Sequence, residues 1–157
     1  MRQLVLSAFF AFAVSPAIAA DEYRWLGEKT EDGAVLRYAI PESDAVQLDF
    51  QCERKSGKLI VTLEHEPIVA KDGVKVDFLL KRLDTGPKDE IRIRATGHRL
   101  ELDDKFILEG ETRMLAKLRR ILEGGGTLIV RVEDGALEIP LKGAAAAARH
   151  LFAACPS

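Results

Sequence analysis

The stretch from Thr127 to Cys155 constrains the fold more than any other part of this chain. Leu128, Val130 and Val132 alternate with Thr127, Ile129 and Arg131. Beyond Glu133-Asp134-Gly135, Leu137, Ile139 and Leu141 alternate with Ala136, Glu138 and Pro140. Successive side chains of a strand point to opposite faces. Two alternating runs joined at Asp-Gly therefore predict a hairpin, with glycine supplying the positive φ of a tight turn. Lys142-Gly143 then releases the chain into an alanine-rich helix that ends at Cys155-Pro156. Such a unit cannot bury its own apolar face, so it predicts a β-rich body upstream that it closes.

That body is visible as short runs between turn residues. Val46, Leu48, Phe50 and Cys52 fall at strict period two against Gln47, Asp49 and Gln51, which predicts a half-buried strand with Cys52 turned inward. Comparable runs cover Tyr23 to Leu26, Ala34 to Ile40, Lys58 to Glu64 and Val74 to Leu80. Ile91, Ile93 and Ala95 alternate with Arg92, Arg94 and Thr96, and Gly97 interrupts the run before Leu100 and Leu102. Phe106 and Leu108 return as a hairpin partner. Leu79 and Leu83 lie out of phase, which points to a bulge or to cover on the second face. The period then changes. Met114, Leu115, Leu118, Ile121 and Leu122 recur at three and four, predicting an amphipathic helix with Thr112 as N-cap and Gly124 as its stop. In the last helix, Ala144, Ala148, Leu151, Phe152 and Cys155 share one face. Pro140 inside a run favours an edge strand, since it has no N–H to donate. The expected class is mainly β: an antiparallel sandwich or barrel-like sheet with one amphipathic helix and a C-terminal packing helix, in one domain over residues 20–157.

Residues 1–19 read as a signal peptide. Arg2 gives a basic start, Leu4 to Val14 is apolar, and Ala17-Ile18-Ala19 offers the small residues of a cleavage site, with Ala20 as the alternative end. The rival reading, an uncleaved anchor, needs about 20 apolar residues to span a bilayer. The expected mature chain is exported, most simply to a bacterial periplasm. It carries 22 basic against 25 acidic residues, a net charge of −3, which predicts no bulk attraction to nucleic acid. Its two cysteines, Cys52 and Cys155, favour one disulfide in an oxidising compartment, against two buried thiols or a reactive pair.

No motif for catalysis or metal binding is assembled in the sequence. His65, His98 and His150 lack ligand spacing, and no cofactor is implied. Ser43 and Ser56 sit in turn contexts, and no serine lies in a nucleophile elbow. The acidic pairs Glu64/Glu66 and Asp103-Asp104 fall at strand ends and turns. Gly124 to Gly126 precede a strand and lack the following lysine of a phosphate loop. The one patch of interest is basic: Lys81, Arg82, Arg92, Arg94, His98 and Arg99 lie on neighbouring strand segments. Arg92, Arg94, His98 and Arg99 are the candidate ligand-binding residues, for a lipid head group, an anionic glycan or an acidic protein. The alternative is a solvated face balanced by Glu90, Glu101 and Asp103.

The C-terminal unit resembles known families over about its last 40 residues. Leu118-x-x-Ile121-Leu122-x-Gly124, then Leu128-Ile129-Val130, then Ile139-Pro140-Leu141-x-Gly143 and the alanine-rich helix are similar to the ending of invasion-associated locus B proteins. They also resemble a type VI secretion-associated periplasmic family. The resemblance implies a small exported proteobacterial β-sandwich protein and transfers no catalytic residue. The expected function is a non-enzymatic exported protein that binds a partner protein or an anionic envelope component. Rivals are a small envelope hydrolase using acidic residues, and an inhibitor of a secreted enzyme acting through the Glu66 to Gly73 loop.

Overall fold

Every strand described in the structure belongs to one antiparallel sheet. The computed structural model describes residues 22–54, 56–86 and 89–157. The expected signal peptide lies outside these residues, as do Lys55, Pro87 and Lys88 of two expected turns. The strands are β1 (Arg24–Lys29), β2 (Gly33–Ala39), β3 (Val46–Glu53), β4 (Lys58–Glu64), β5 (Lys75–Arg82), β6 (Ile91–Arg99), β7 (Phe106–Arg113), β8 (Thr127–Val132) and β9 (Gly135–Pro140). Their order across the sheet is β1-β2-β3-β4-β7-β6-β5-β8-β9. The first four form a meander. The next three form a second meander laid in backwards, so that β7 meets β4 and β5 meets β8. The β4–β5 connection must therefore cross the ends of β7 and β6.

Alternation explains which side of the sheet is dry. Leu48, Phe50 and Cys52 of β3, Leu59, Val61 and Leu63 of β4, and Ile91, Ile93 and Ala95 of β6 are buried, as the period-two runs predict. Phe78, Leu80, Phe106, Leu108, Leu128 and Val130 join them in one core. The sheet curls into a half-barrel around this core, the barrel-like form of the two expected architectures. The indole Nε1 of Trp25 on β1 donates to the carbonyl of Pro140 on β9 at 2.7 Å, linking the first and last strands. Pro140 sits on an edge strand, where its missing N–H breaks no ladder.

Three short helices complete the core: α1 (Ala116–Glu123), α2 (Ala144–Ala147) and α3 (Arg149–Ala154). Leu118, Ile121 and Leu122 are the buried stripe of α1, and Gly124 ends it. Thr112 is not its N-cap. It pairs with Leu59 in β7, and Leu115 occupies the cap position without a side-chain bond. The sheet ladder claims Thr112 because β4 offers partners as far as Arg113. The C-terminal helix is two pieces meeting at Ala148, yet Ala144, Ala148, Leu151, Phe152 and Cys155 are all buried, as one face requires. Strand β6 runs unbroken through Gly97 to Arg99, and Leu100 begins the following turn. The β5–β6 register runs without a bulge, so Leu79 lies on the outer face, half-buried.

Small residues let the helices come close. A Cβ on Gly27 of β1 would lie 1.8 Å from the carbonyl oxygen of Ala147, so backbone meets backbone there. Gly143, at φ +86, makes the left-handed turn that starts α2. From α3 the chain reaches Cys155, which is bonded to Cys52 of β3 with an S–S distance of 2.04 Å and Cα atoms 6.0 Å apart. The disulfide joins residues 103 apart in sequence and ties the end of the chain to the inner face of the sheet.

Candidate functional site

The fold splits the basic residues singled out in the sequence. Arg92, Arg94 and His98 alternate with buried Ile91, Ile93, Ala95 and Gly97, so they stand on the outer face of β6. Arg99 falls on the opposite parity at the strand end and turns toward the loops instead. Arg82 pairs with Asp84, two residues on, and leaves the stripe. Arg131 of β8, which the sequence does not mark out, joins Arg92 and Arg94 because β5 lies between β6 and β8. Leu79 faces Arg92 on one side and Arg131 on the other, while Asp77 faces Arg94.

These residues line a concavity of about 480 Å³ on the outer face. Arg94 donates from Nε to Asp77 Oδ1 at 3.0 Å and from Nη2 to Oδ2 at 3.4 Å, and Arg92 Nη1 donates to the same Oδ2 at 3.4 Å. The hydrogen bond from Arg94, reinforced by the charges of both guanidiniums, holds the Asp77 carboxyl below the usual carboxylate range. Arg131 Nη2 donates to Glu90 Oε2 at 3.2 Å. Of the acids expected to balance this face, Glu90 does so, and Asp77 stands in the place expected of Glu101 and Asp103. Period two along β5 places Asp77 outward, but only the β5–β6 register puts it beneath two arginines.

A second candidate lies at the end of the sheet crossed by the β4–β5 loop. The loop is anchored along its length. His65 N–H donates to the Phe106 carbonyl at 3.0 Å, and His65 Nε2 lies 2.9 Å from Asp134 Oδ1. Ile68 N–H donates to Asp134 Oδ2 at 2.7 Å, and Arg99 N–H to Asp72 Oδ1 at 2.7 Å. Arg99 also reaches Glu66 on this loop and Asp104 on the β6–β7 turn, with its guanidinium over the Phe106 ring. The carboxyl of Asp134 is held below its ordinary range, first by the bond to His65 and then by the Ile68 amide. The loop so braced packs Ala70 against the core and turns Ile68 and Val69 outward. Ile68 is 88 % exposed and Val69 72 %, and on the neighbouring turn Leu102 is fully exposed.

The other groups weighed in the sequence do not converge. Among the described residues, no group of three or more histidine, cysteine or acidic side chains is placed to hold a metal ion. His65 belongs to the loop brace, His98 stands on the outer face of β6, and His150 lies on α3. Glu64 is engaged by Lys105 and Glu66 by Arg99, while Asp104 sits on an exposed turn. Ser43 and Ser56 bond to backbone within their own turns. No protein-family model, curated protein or solved structure matches this chain.

Proposed function

We propose that the chain is an exported, periplasmic, non-enzymatic binding domain that docks a partner protein through the end formed by the β4–β5 loop and the β6–β7 turn. The observation that carries this reading is the braced loop displaying Ile68 and Val69. Holding apolar side chains in water is unfavourable by roughly 25 cal/mol per Å². A loop fixed by Asp134, Asp72 and Arg99 cannot fold them away, and a surface already ordered loses little entropy on binding. Export is supported by the leader-like residues 1–19 and by the Cys52–Cys155 bond. No helix among the described residues is long and apolar enough to cross a membrane. The likeness of the C-terminal unit to invasion-associated locus B and type VI secretion-associated proteins supports the same compartment.

Charge favours a protein over a bilayer as the partner. Five exposed acids, Glu66, Asp72, Glu101, Asp103 and Asp104, stand at this end against three cations, Lys71, Arg99 and Lys105, which leaves it net acidic. Such a rim is repelled by anionic head groups and is complementary to an apolar cleft with a basic edge. The braced loop also favours one specialised form of this reading, inhibition of a secreted enzyme. A photo-cross-linker at Val69, introduced in the native host, is expected to capture one defined protein. That product is expected to vanish on Ile68→Asp and to weaken with salt. A cross-link pattern indifferent to Ile68→Asp, or hydrolysis of an envelope substrate that depends on the chain's own carboxylates, would refute the proposal. Loss of the captured protein's activity on binding would identify the inhibitor form.

A further inference from the structure

We propose that the concavity on the outer face of β5, β6 and β8 binds a phosphate-type oxyanion, as a soluble phosphate ester or as a lipid head group. The site lies on the side of the sheet away from the core and is separate from the loop end. Its geometry follows from the register. Arg92, Leu79 and Arg131 form one row across three adjacent strands, and Arg94 and Asp77 form the next. Two guanidiniums thus flank a half-buried leucine, and a third stands beside them.

Elsewhere on the outer face, Arg37 and Lys58 each meet one carboxylate of their own, Asp49 and Glu111. Here Arg92 and Arg94 share the single carboxylate of Asp77, whose side chain is only 25 % exposed. Lys75, which also lines the concavity, donates to the hydroxyl of Thr96. Four cations, Lys75, Arg92, Arg94 and Arg131, thus stand against Asp77, Glu133 and Glu90, a local positive excess on a chain that is negative as a whole. A guanidinium has five N–H donors. Arg94 spends two on Asp77, Arg92 one, and Arg131 one on Glu90, so each keeps donors for a further acceptor. Exposed planar forks tethered by partly buried carboxylates suit a tetrahedral oxyanion, which accepts from several directions at once. Leu79, between the two forks, offers an apolar floor for the organic part of an ester.

Asp77 then has two effects. It sets the two arginines in place, and it occupies the field that an incoming anion would use. Neutralising it without changing its shape therefore raises affinity, whereas a face that is merely solvated shows no such gain.

The test measures binding of inorganic phosphate to the mature protein at low ionic strength by ³¹P line broadening. Co-sedimentation with phosphatidylcholine vesicles, with and without phosphatidic acid, follows. Saturable phosphate binding is expected. Arg92→Gln/Arg94→Gln should weaken it at least tenfold, Asp77→Asn should tighten it, and Lys58→Gln, on a distant pair, should leave it unchanged. Trp25 fluorescence checks that each variant is folded. Should the double arginine variant fail to fold, the Asp77→Asn gain and an Arg131→Gln loss decide. Retention only on vesicles containing phosphatidic acid assigns the lipid source. Phosphate binding without vesicle retention assigns a soluble ester. Absence of saturable binding, or equal affinity in wild type, Asp77→Asn and Arg92→Gln/Arg94→Gln, overturns the proposal.

Discussion

Reducing the Cys52–Cys155 bond tests the closure of the fold directly. The bond spans 103 residues, from the third strand to the last helix. In the chain-entropy account, a loop of that length restricts the unfolded state by roughly 16 cal/mol/K, or about 4.7 kcal/mol at 25 °C. At about 2.1 cal/mol/K of unfolding entropy per residue, this corresponds to a fall in Tm on the order of 15 °C. The native contacts change little, since both sulfurs remain in the core. The assay is urea unfolding of the oxidised and the dithiothreitol-reduced protein, followed by fluorescence of Trp25 and by far-ultraviolet circular dichroism. Trp25 is the single tryptophan and sits buried between β2 and the β9 edge, so its signal reports the closed half-barrel. The reduced protein should unfold at lower urea with a larger m-value, because its unfolded chain is no longer looped and exposes more surface. A difference below about 1 kcal/mol would refute the entropic account. A Trp25 transition ahead of the circular-dichroism change, in the reduced protein alone, would show that the bond secures the closure of the half-barrel and not the sheet as a whole.

Four further outcomes are expected. Gly27→Ala places a Cβ against the Ala147 carbonyl and should destabilise by about 1–3 kcal/mol, read from the same unfolding curves. Ile68→Asp should change stability by no more than about 0.5 kcal/mol while abolishing partner cross-linking, which separates binding from folding. Asp134→Asn should weaken the acceptor for Ile68 N–H and speed hydrogen exchange there and at His65, with little change at the buried amides of β3. The brace is also acid-sensitive. Because the folded pKa of Asp134 lies below its unfolded value, its contribution is complete above about pH 4 and is lost as the pH falls through the lower folded value. The protection of the Ile68 amide, corrected for the intrinsic slowing of exchange in acid, should therefore fall in that range in the wild type, and an Asp134→Asn variant should show no such step.

The legible part of this fold is the part encoded over short distances. Val46 to Cys52 announces a strand and the direction of its cysteine, because period two is a local property of extended backbone. The same holds for Arg92 and Arg94 on one face, and for Pro140 at an edge. Thr112 misleads because its hydroxyl suits an N-cap locally, while the ladder with β4 holds it in a strand. Arg99 misleads because it sits at a strand end, where a loop partner rather than alternation decides where the side chain goes. Ile68 and Val69 read only as loop residues, since exposure is a property of what surrounds a residue.

The sequence by itself determined the alternating strands, the turn residues, the amphipathic α1, the small-residue face of the last helices and the pair of cysteines available to bond. Each follows from φ/ψ preference, periodicity or composition within a few residues. Tertiary structure decided the strand order, with the β5–β7 meander inserted backwards. That order sets β8 beside β5, puts Arg131 and Arg92 across one leucine and gives Asp77 two arginines. It also draws the β4–β5 loop across the sheet end, where Asp134 and Arg99 hold it with Ile68 and Val69 outward. Neither arrangement is encoded locally. Both arise because strands far apart in the chain must share one curled sheet to bury a single core.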